Sequence, residues 1–449
     1  MTAAHSTAAP PLSAAMRSFE AQWRERSPAR RDDPLTSLRE SAMKRVLALG
    51  LPTARDESWR YTSLRHLAAR GFVDAPPAAP AHAGPLVLPP WIGRAEVSCV
   101  VLVNGHPDLR SIQNKPINDI EISSLRDLSR TDPASVAARL PRTSDAEQGR
   151  WGLINTALFT DGLLLRVTAP TETPLVIVHL LTSEGANNIA YPRLIIDAAP
   201  GSRATIIEHY VDQGAAPPLC NSATHIAAAR NAEVEHYRIF STGPGAEHFD
   251  TLTIDQERDS RCRQFTIALG GGLIRTTLES RLNQPGASLR SYSMLVGHET
   301  RHVDCVNVVT HAAPSTESEQ WARAIASGTS RVVFNSRVVV DPGSAHAQSQ
   351  QSCRGLLLSP GAEIDTRPQL EIHADEVKCA HGATTGRLDP DMLFYLLSRG
   401  LPRATAQSLL VYAFLSDVLA QMSVPAARSA LEDALIAQLP DSTTLNNFR

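Results

Sequence analysis

Residues 285–292 read Pro-Gly-Ala-Ser-Leu-Arg-Ser-Tyr. Proline presets one turn dihedral and glycine supplies the other, so the chain reverses here. The alternation from Ser288 to Tyr292 then has the period of a strand. Pro-Gly-Ser or Pro-Gly-Ala also occurs at Pro200, Pro244, Pro342 and Pro360. The spacings between successive copies approximate two, two, three and one lengths of a unit of roughly 20 residues, the size of a solenoid rung. Glu-His-Tyr also recurs, at Glu208 and Glu235. Short β-rich runs lie between the turns: Val97–Val103, Leu175–Leu181, Leu194–Ile196, Thr205–Val211 and Val332–Val340. No convincing long helix intervenes before about residue 389. Short strands in this number suit a sandwich, a barrel or a solenoid, and the repeat favours a parallel β-helix. Its coils stack at about 4.8 Å and bury an inner apolar ladder. Such a stack has two ends, which must be capped or used for association.

The flanks read as helical. Residues 1–12 are Ala-rich and are expected to be a mobile tail. Met16, Phe19 and Trp23 then follow at helical spacing. Asp33 is placed to cap a helix that begins at Pro34 and stops at Gly50 and Pro52. Residues 74–94, with Pro76, Pro77, Pro80, Pro85, Pro89 and Pro90, read as a semi-rigid linker. The predicted organisation is a helical region over 1–73, this linker, a β core over 95–387 and a helical region over 388–449. Within the last, Asp389 and Pro390 open a helix through Met392, Leu393, Phe394, Leu396 and Leu397 that Gly400 and Pro402 end. A second runs from about Ala404 to Met422, and Pro425 opens a third. These helices are apolar on more than one face, so they must pack on the β core or on another protein.

Composition narrows the function. Lys+Arg 43 against Asp+Glu 46 leaves a net charge of −3, which gives no electrostatic case for nucleic acid. Aromatic residues make up only 5%, too few for base-stacking platforms. Cys99, Cys220, Cys262, Cys305, Cys353 and Cys379 form no CxxC clip or disulfide framework, which fits a reducing compartment. No secretory signal or spanning segment is visible, so a cytoplasmic protein off the membrane is expected. Gly270-Gly271-Gly272 has no lysine behind it and reads as a turn or a close strand approach, not a phosphate cradle. The Gly-x-Ser-x-Gly, His-Glu-x-x-His and Rossmann patterns are also missing.

Residues 369–401 read QLEIHADEVKCAHGATTGRLDPDMLFYLLSRGL. This segment resembles the C-terminal signature of the SufB/SufD family of iron–sulfur cluster assembly scaffolds. Leu-Leu-Leu-Ser at Leu356, Pro-Gln-Leu-Glu-Ile at Pro368 and Cys-x-His-Gly-Ala-Thr at Cys379 lean towards its SufD branch. Gly382 stands where SufB relatives usually carry Glu. ESWRYTSL at Glu57 and NGH at Asn104 are similar to further family elements, so the likeness runs from about residue 55 to 420. It implies a right-handed parallel β-helix between two helical regions. It also implies pairing with SufB through the β-helix end and docking of the ABC-type ATPase SufC on the C-terminal helices. The chain itself would have no ATPase activity and no tightly bound cofactor in isolation. Iron or a transient iron–sulfur cluster would be shared with SufB, and a homodimer is plausible when SufB is absent.

Cys379 and His381 are two apart, so on a strand they leave the same face. A thiolate and a neutral imidazole suit iron, but two ligands complete no site. The resemblance implies that His381 faces a SufB cysteine across the interface. Cys353 reads first as a core thiol, as do the four earlier cysteines; the resemblance adds a ligand role as its alternative, since SufB relatives tend to carry Cys near this point. Glu371, His373 and Asp375 alternate and read as the solvent side of a coil, with an interface or iron-delivery role as the alternative. His106, His209 and His236 read as structural. The SufC-docking candidates are Leu393, Phe394, Tyr395, Arg399, Leu410 and Phe414; for Arg399 a helix-end cap is the simplest role. Two other readings compete. One is a polysaccharide-cleaving β-helix enzyme, disfavoured by the sparse aromatics. The other is an autonomous metalloprotein.

Overall fold

The computed structural model describes residues 12–26, 34–77, 88–94, 96–113, 119–141, 149–183, 185, 187–214 and 216–439. All but Leu12 of the tail expected over 1–12, the Asp33 cap and most of the Pro-rich stretch fall outside the described residues. From Leu163 to Gly386 the chain winds into a β-solenoid of about eight turns. Each turn gives one strand to each of two parallel sheets. Leu273–Leu282 lies between Glu247–Gln256 and His302–His311 in the first sheet. Ser288–Gly297 lies between Arg261–Ala268 and Glu317–Ala326 in the second.

The register corrects the expected period. Ser288 pairs with Arg261 before it and with Glu317 after it. Each step is longer than a rung of roughly 20 residues, because a turn holds two long strands and two corners. The Pro-Gly motif marks both corners. Pro200, Pro285 and Pro342 lead from the first sheet into the second, and Pro244 and Pro360 lead back. The spacings are therefore mixtures of half and whole turns. The Glu-His-Tyr recurrence is not a structural repeat either. Glu208 pairs with Arg238, whereas Glu235 pairs with Thr205, so the two phrases are out of register. Glu208 is buried in the interior, and Glu235 lies outside, bonded to Arg263 at 2.8 Å.

Left-handed residues stack one above another at the corner leading into the second sheet: Gly201, Asn231, Asp259, Gly286, Ser315, His346 and Glu376. Backbone bonds tie successive corners together, for example Asp259 N–H to Pro285 O at 3.1 Å and Ser315 N–H to Ala345 O at 2.9 Å. The glycine triplet is a close approach at the opposite corner. A Cβ on Gly270 would lie 2.2 Å from Thr242 O, inside contact distance, so neither side chain nor backbone has room. Gly270→Ala is expected to lower the unfolding free energy by about 1–3 kcal/mol, the usual cost of overpacking. A denaturation midpoint equal to wild type would contradict this.

The interior holds apolar columns such as Leu165–Ile196–Ile226–Ile254, each residue stacked on the next turn's partner. Full burial of such a side chain contributes about 1.5–3 kcal/mol. Helices α1 (Ala14–Arg26), α2 (Pro34–Leu49) and α3 (Arg65–Ala68) cover the outer face of the first sheet. Three more helices lie inside the stretch read as β: α4 (Leu125–Thr131), α5 (Pro133–Arg139) and α6 (Arg150–Leu158). α4 and α5 are short, with Ser124 and Asp132 accepting N-terminal N–H bonds. Every α6 residue is buried, so α6 has no polar face and no amphipathic period to read. α7 (Pro390–Ser398) follows the last strand. α8 (Arg403–Leu419) and α9 (Pro425–Ala437) seat Val411, Leu415, Leu431 and Leu435 on Ile207, Ile239, Ile267 and Met294, outside the second sheet.

The two ends of the solenoid differ. At the first, Ser98–Val103 and His106–Gln113 form an antiparallel hairpin on the second sheet. Asn104 and Gly105 both have positive φ, the conformation of a tight two-residue hairpin turn. Ile120–Ser124 runs antiparallel at the edge of the first sheet. At the last end, Glu363–Ile372 and Lys378–Gly386 are the terminal strands, and among the described residues no strand pairs beyond them.

Candidate functional site

Alternate side chains of each solenoid strand face inward. On Gln348–Leu357 the inward set is Ser349, Gln351 and Cys353, all buried. Their partners on the terminal strand are Cys379, His381 and Ala383. Cys379 and His381 therefore continue the inner face of the solenoid to its open end, where no described strand covers them. Cys379 is half-buried and His381 is exposed. Burial pushes the Cys379 thiol up against a backbone hydrogen bond involving Ser349, so at neutral pH it is a thiol that a metal must deprotonate. Cys353 lies one turn deeper, among Cys305, Ala322 and Phe334. Burial pushes its thiol up to about 12, which makes it a neutral core side chain.

Glu371 and His373 are not brought to this pair. Glu371 faces outward on the other sheet and lies 3.5 Å from Arg337. His373 falls past the strand end, its N–H bonded to Val340 O at 2.9 Å, and Asp375 is in the turn that follows. Among the described residues no three His, Cys, Asp or Glu side chains gather to hold a metal ion. The end offers one thiol and one imidazole, an incomplete set.

α7 follows the terminal strand in the chain, with none of its residues buried. Met392, Phe394 and Tyr395 are among the exposed large hydrophobic side chains, with Phe394 71% accessible. Leu393 is half-buried, and the Arg399 guanidinium sits 5.1 Å over the Tyr395 ring. Leu410 and Phe414, on α8, are also half-buried. Phe414 packs on the core beneath Arg323, which bonds Asp417 at 3.1 Å. The exposed apolar patch thus belongs to α7 and not to α8.

The SufBD core domain of the SUF system for FeS cluster assembly matches residues 180–414, and the SufBD protein N-terminal region matches residues 21–177. The chain belongs to the SufBD family. It is 28% identical to the iron–sulfur cluster assembly protein SufD of Escherichia coli K12, over 89% of this chain and 90% of that protein. An iron–sulfur cluster assembly SufBD family protein of Synechocystis is 29% identical, over 90% and 91%. SufD of Bacillus subtilis is 25% identical over 62% and 64%. Among the described residues, no helix of this SufBD protein is long and apolar enough to cross a membrane.

Two features of this SufBD protein escaped the reading of its sequence. ESWRYTSL is a clamp onto the first sheet. Arg275 stacks 3.7 Å over Trp59, donates to Ser58 O at 2.9 Å and ion-pairs with Asp304. Thr62 bonds His302 at 2.8 Å and also Asp304, while Glu57 reaches Arg367 on the terminal strand of that sheet. The second feature is a carboxylate deep inside the solenoid. Glu208 accepts from His179 at 2.8 Å, His236 at 2.9 Å, Thr224 at 2.8 Å and Tyr210 at 3.0 Å. Burial alone would raise its pKa, but the bonds from the two histidines hold it well below the usual carboxylate range. His236 and the other two histidines read as structural are all bonded within the fold: His209 to Ser241 at 3.0 Å and His106 to Arg126 at 2.8 Å. The Glu-His-Tyr phrase was the one available signal for Glu208, and its false register hid the role.

Proposed function

We propose that this chain is the SufD-type subunit of a cytoplasmic iron–sulfur cluster assembly complex. It pairs through its open solenoid end with a SufB-type partner and presents α7 to a SufC-type ATPase. His381, with Cys379 beside it, supplies part of a donor set for iron or a nascent cluster, which is cargo. The partner completes the set. The subunit is a scaffold without an ATPase activity or a resident cofactor of its own, and the same uncapped end gives it a route to a homodimer when the partner is absent.

The observation that carries this reading is the position of the Cys-x-His pair. It sits on the inner face of an uncapped end, with too few donors to finish a site. One end of the solenoid is closed by antiparallel strands, and among the described residues no strand pairs beyond the long strands at the other, which favours association there. Gly382 beside His381 adds no competing carboxylate.

His381→Ala is expected to co-purify with its partners as wild type does. Cluster formed per complex should fall by about tenfold or more, since even outer-sphere losses at metal sites reach that size. Absorbance and iron content of the anaerobically purified complex would report it. A variant that matures clusters at the wild-type rate would sink the donor assignment.

A further inference from the structure

His381 is the last member of an inner column that the register runs through His236, Gln264, Ser291, Gln320 and Gln351. Gln351 lies directly beneath it, one strand spacing away, about 4.8 Å. It is 2% accessible, although it is only one strand from the open end. Its amide is held from below. Nε2 donates to Ser336 Oγ at 2.6 Å, and the Ser336 hydroxyl donates to Gln320 Oε1 at 2.9 Å. That chain of bonds fixes the amide and leaves Oε1 as the other end. Among the described residues Gln351 Oε1 is buried without a hydrogen-bond partner. A buried acceptor left unmatched is costly, by the desolvation it has already suffered. In the column Gln351 is flanked by the Gln320 amide below, whose Nε2 is likewise buried without a partner among the described residues, and by the His381 ring at the open end.

We propose that Gln351 positions His381: its Oε1 accepts the Nδ1–H of the ring, so that Nε2 keeps its lone pair and faces out of the solenoid end. A histidine that binds a metal through one nitrogen is commonly oriented by a hydrogen bond from the other. As placed, the exposed His381 ring makes no hydrogen bond to Oε1, so the proposed bond forms when the ring turns about its side-chain torsions and brings the nitrogen nearer the backbone over the strand below. The farther nitrogen is the one a partner subunit's cargo would meet. Gln320 and Ser336 extend the support two turns into the rigid interior, so the ring is set by the solenoid and not by a loop. The role in cluster building rests on the proposed function; the hydrogen bond itself does not.

The test uses the full chain with 15N-labelled histidine, at a pH of about 8, where an ordinary imidazole is neutral. The His381 signals are those lost in His381→Gln. Wild type is expected to show the Nδ1–H tautomer. Gln351→Leu should move it towards the Nε2–H tautomer that free imidazole favours. Gln351→Glu keeps an acceptor at the same place and should restore Nδ1–H, a rescue that a purely structural role for Gln351 would not give. In the complex, cluster yield should fall about tenfold in Gln351→Leu and recover in Gln351→Glu. An Nε2–H tautomer in wild type, or a tautomer indifferent to Gln351→Leu, would overturn the proposal. If the tautomer follows Gln351 while His381→Ala still builds clusters normally, the hydrogen bond stands and the donor reading falls.

Discussion

Glu208→Ala is expected to lower the unfolding free energy of this protein by about 3–5 kcal/mol, the cost of breaking a buried charged network by removing one member. Glu208 is fully buried and accepts four hydrogen bonds, from two imidazoles, a phenol and a hydroxyl. Alanine removes every acceptor at once. His179, His236 and Tyr210 are each at most 1% accessible, so water cannot replace what they lose. Glu208→Gln separates charge from shape: it keeps one acceptor oxygen but adds two donors facing donors, so it should fall between wild type and alanine. Urea denaturation of the three proteins, followed by circular dichroism, would measure this. A loss under about 1 kcal/mol for alanine would mean that the interior relaxes around the gap and that the network is not a keystone of the solenoid.

Stability is expected to fall steeply as the pH drops from about 6.5 towards 4. Burial pushes His248 down to about 3, and His209, His225 and His311 to about 4, against an ordinary 6.5. Above pH 6.5 these rings are neutral in both the folded and unfolded chain and contribute no pH dependence. Between the two values the unfolded chain binds protons that the folded chain refuses, so acid favours unfolding. Each ring adds a slope of up to about 1.4 kcal/mol per pH unit across its window. His311 is a clean probe, held by Thr316 and Ser318 hydroxyls at 2.8 Å each. His311→Gln should flatten the acid limb by one histidine's share while costing some stability at pH 7.5. Unfolding free energies equal at pH 7.5 and 5 would show that the buried rings take up protons in place.

Much of the architecture was legible because its causes are local. Pro-Gly turns, alternating segments and the Asp389-Pro390 helix start act within a few residues, and they define helix, β-solenoid and helix in that order. The spacing of two between Cys379 and His381 is enough to place both on one face. The glycine triplet could be read as a turn or a close approach because only glycine tolerates such dihedrals and contacts readily.

Closure of the coil decided the rest. Alternation says which residues share a face but not which face is inside, since a period of two is the same from either side. The register of one turn on the next decided that. It set the length of the rung, turned Glu208 inward and Glu235 outward, and put Glu371 on a different sheet from His381. It placed Gln351 under His381 although a full turn of chain separates them. It also left α7 bare while α8 and α9 were spent on the second sheet. Sequence determined most of the elements and the shared face of the Cys-x-His pair. Tertiary structure decided what each faces, because burial depends on contacts between turns that no local pattern records.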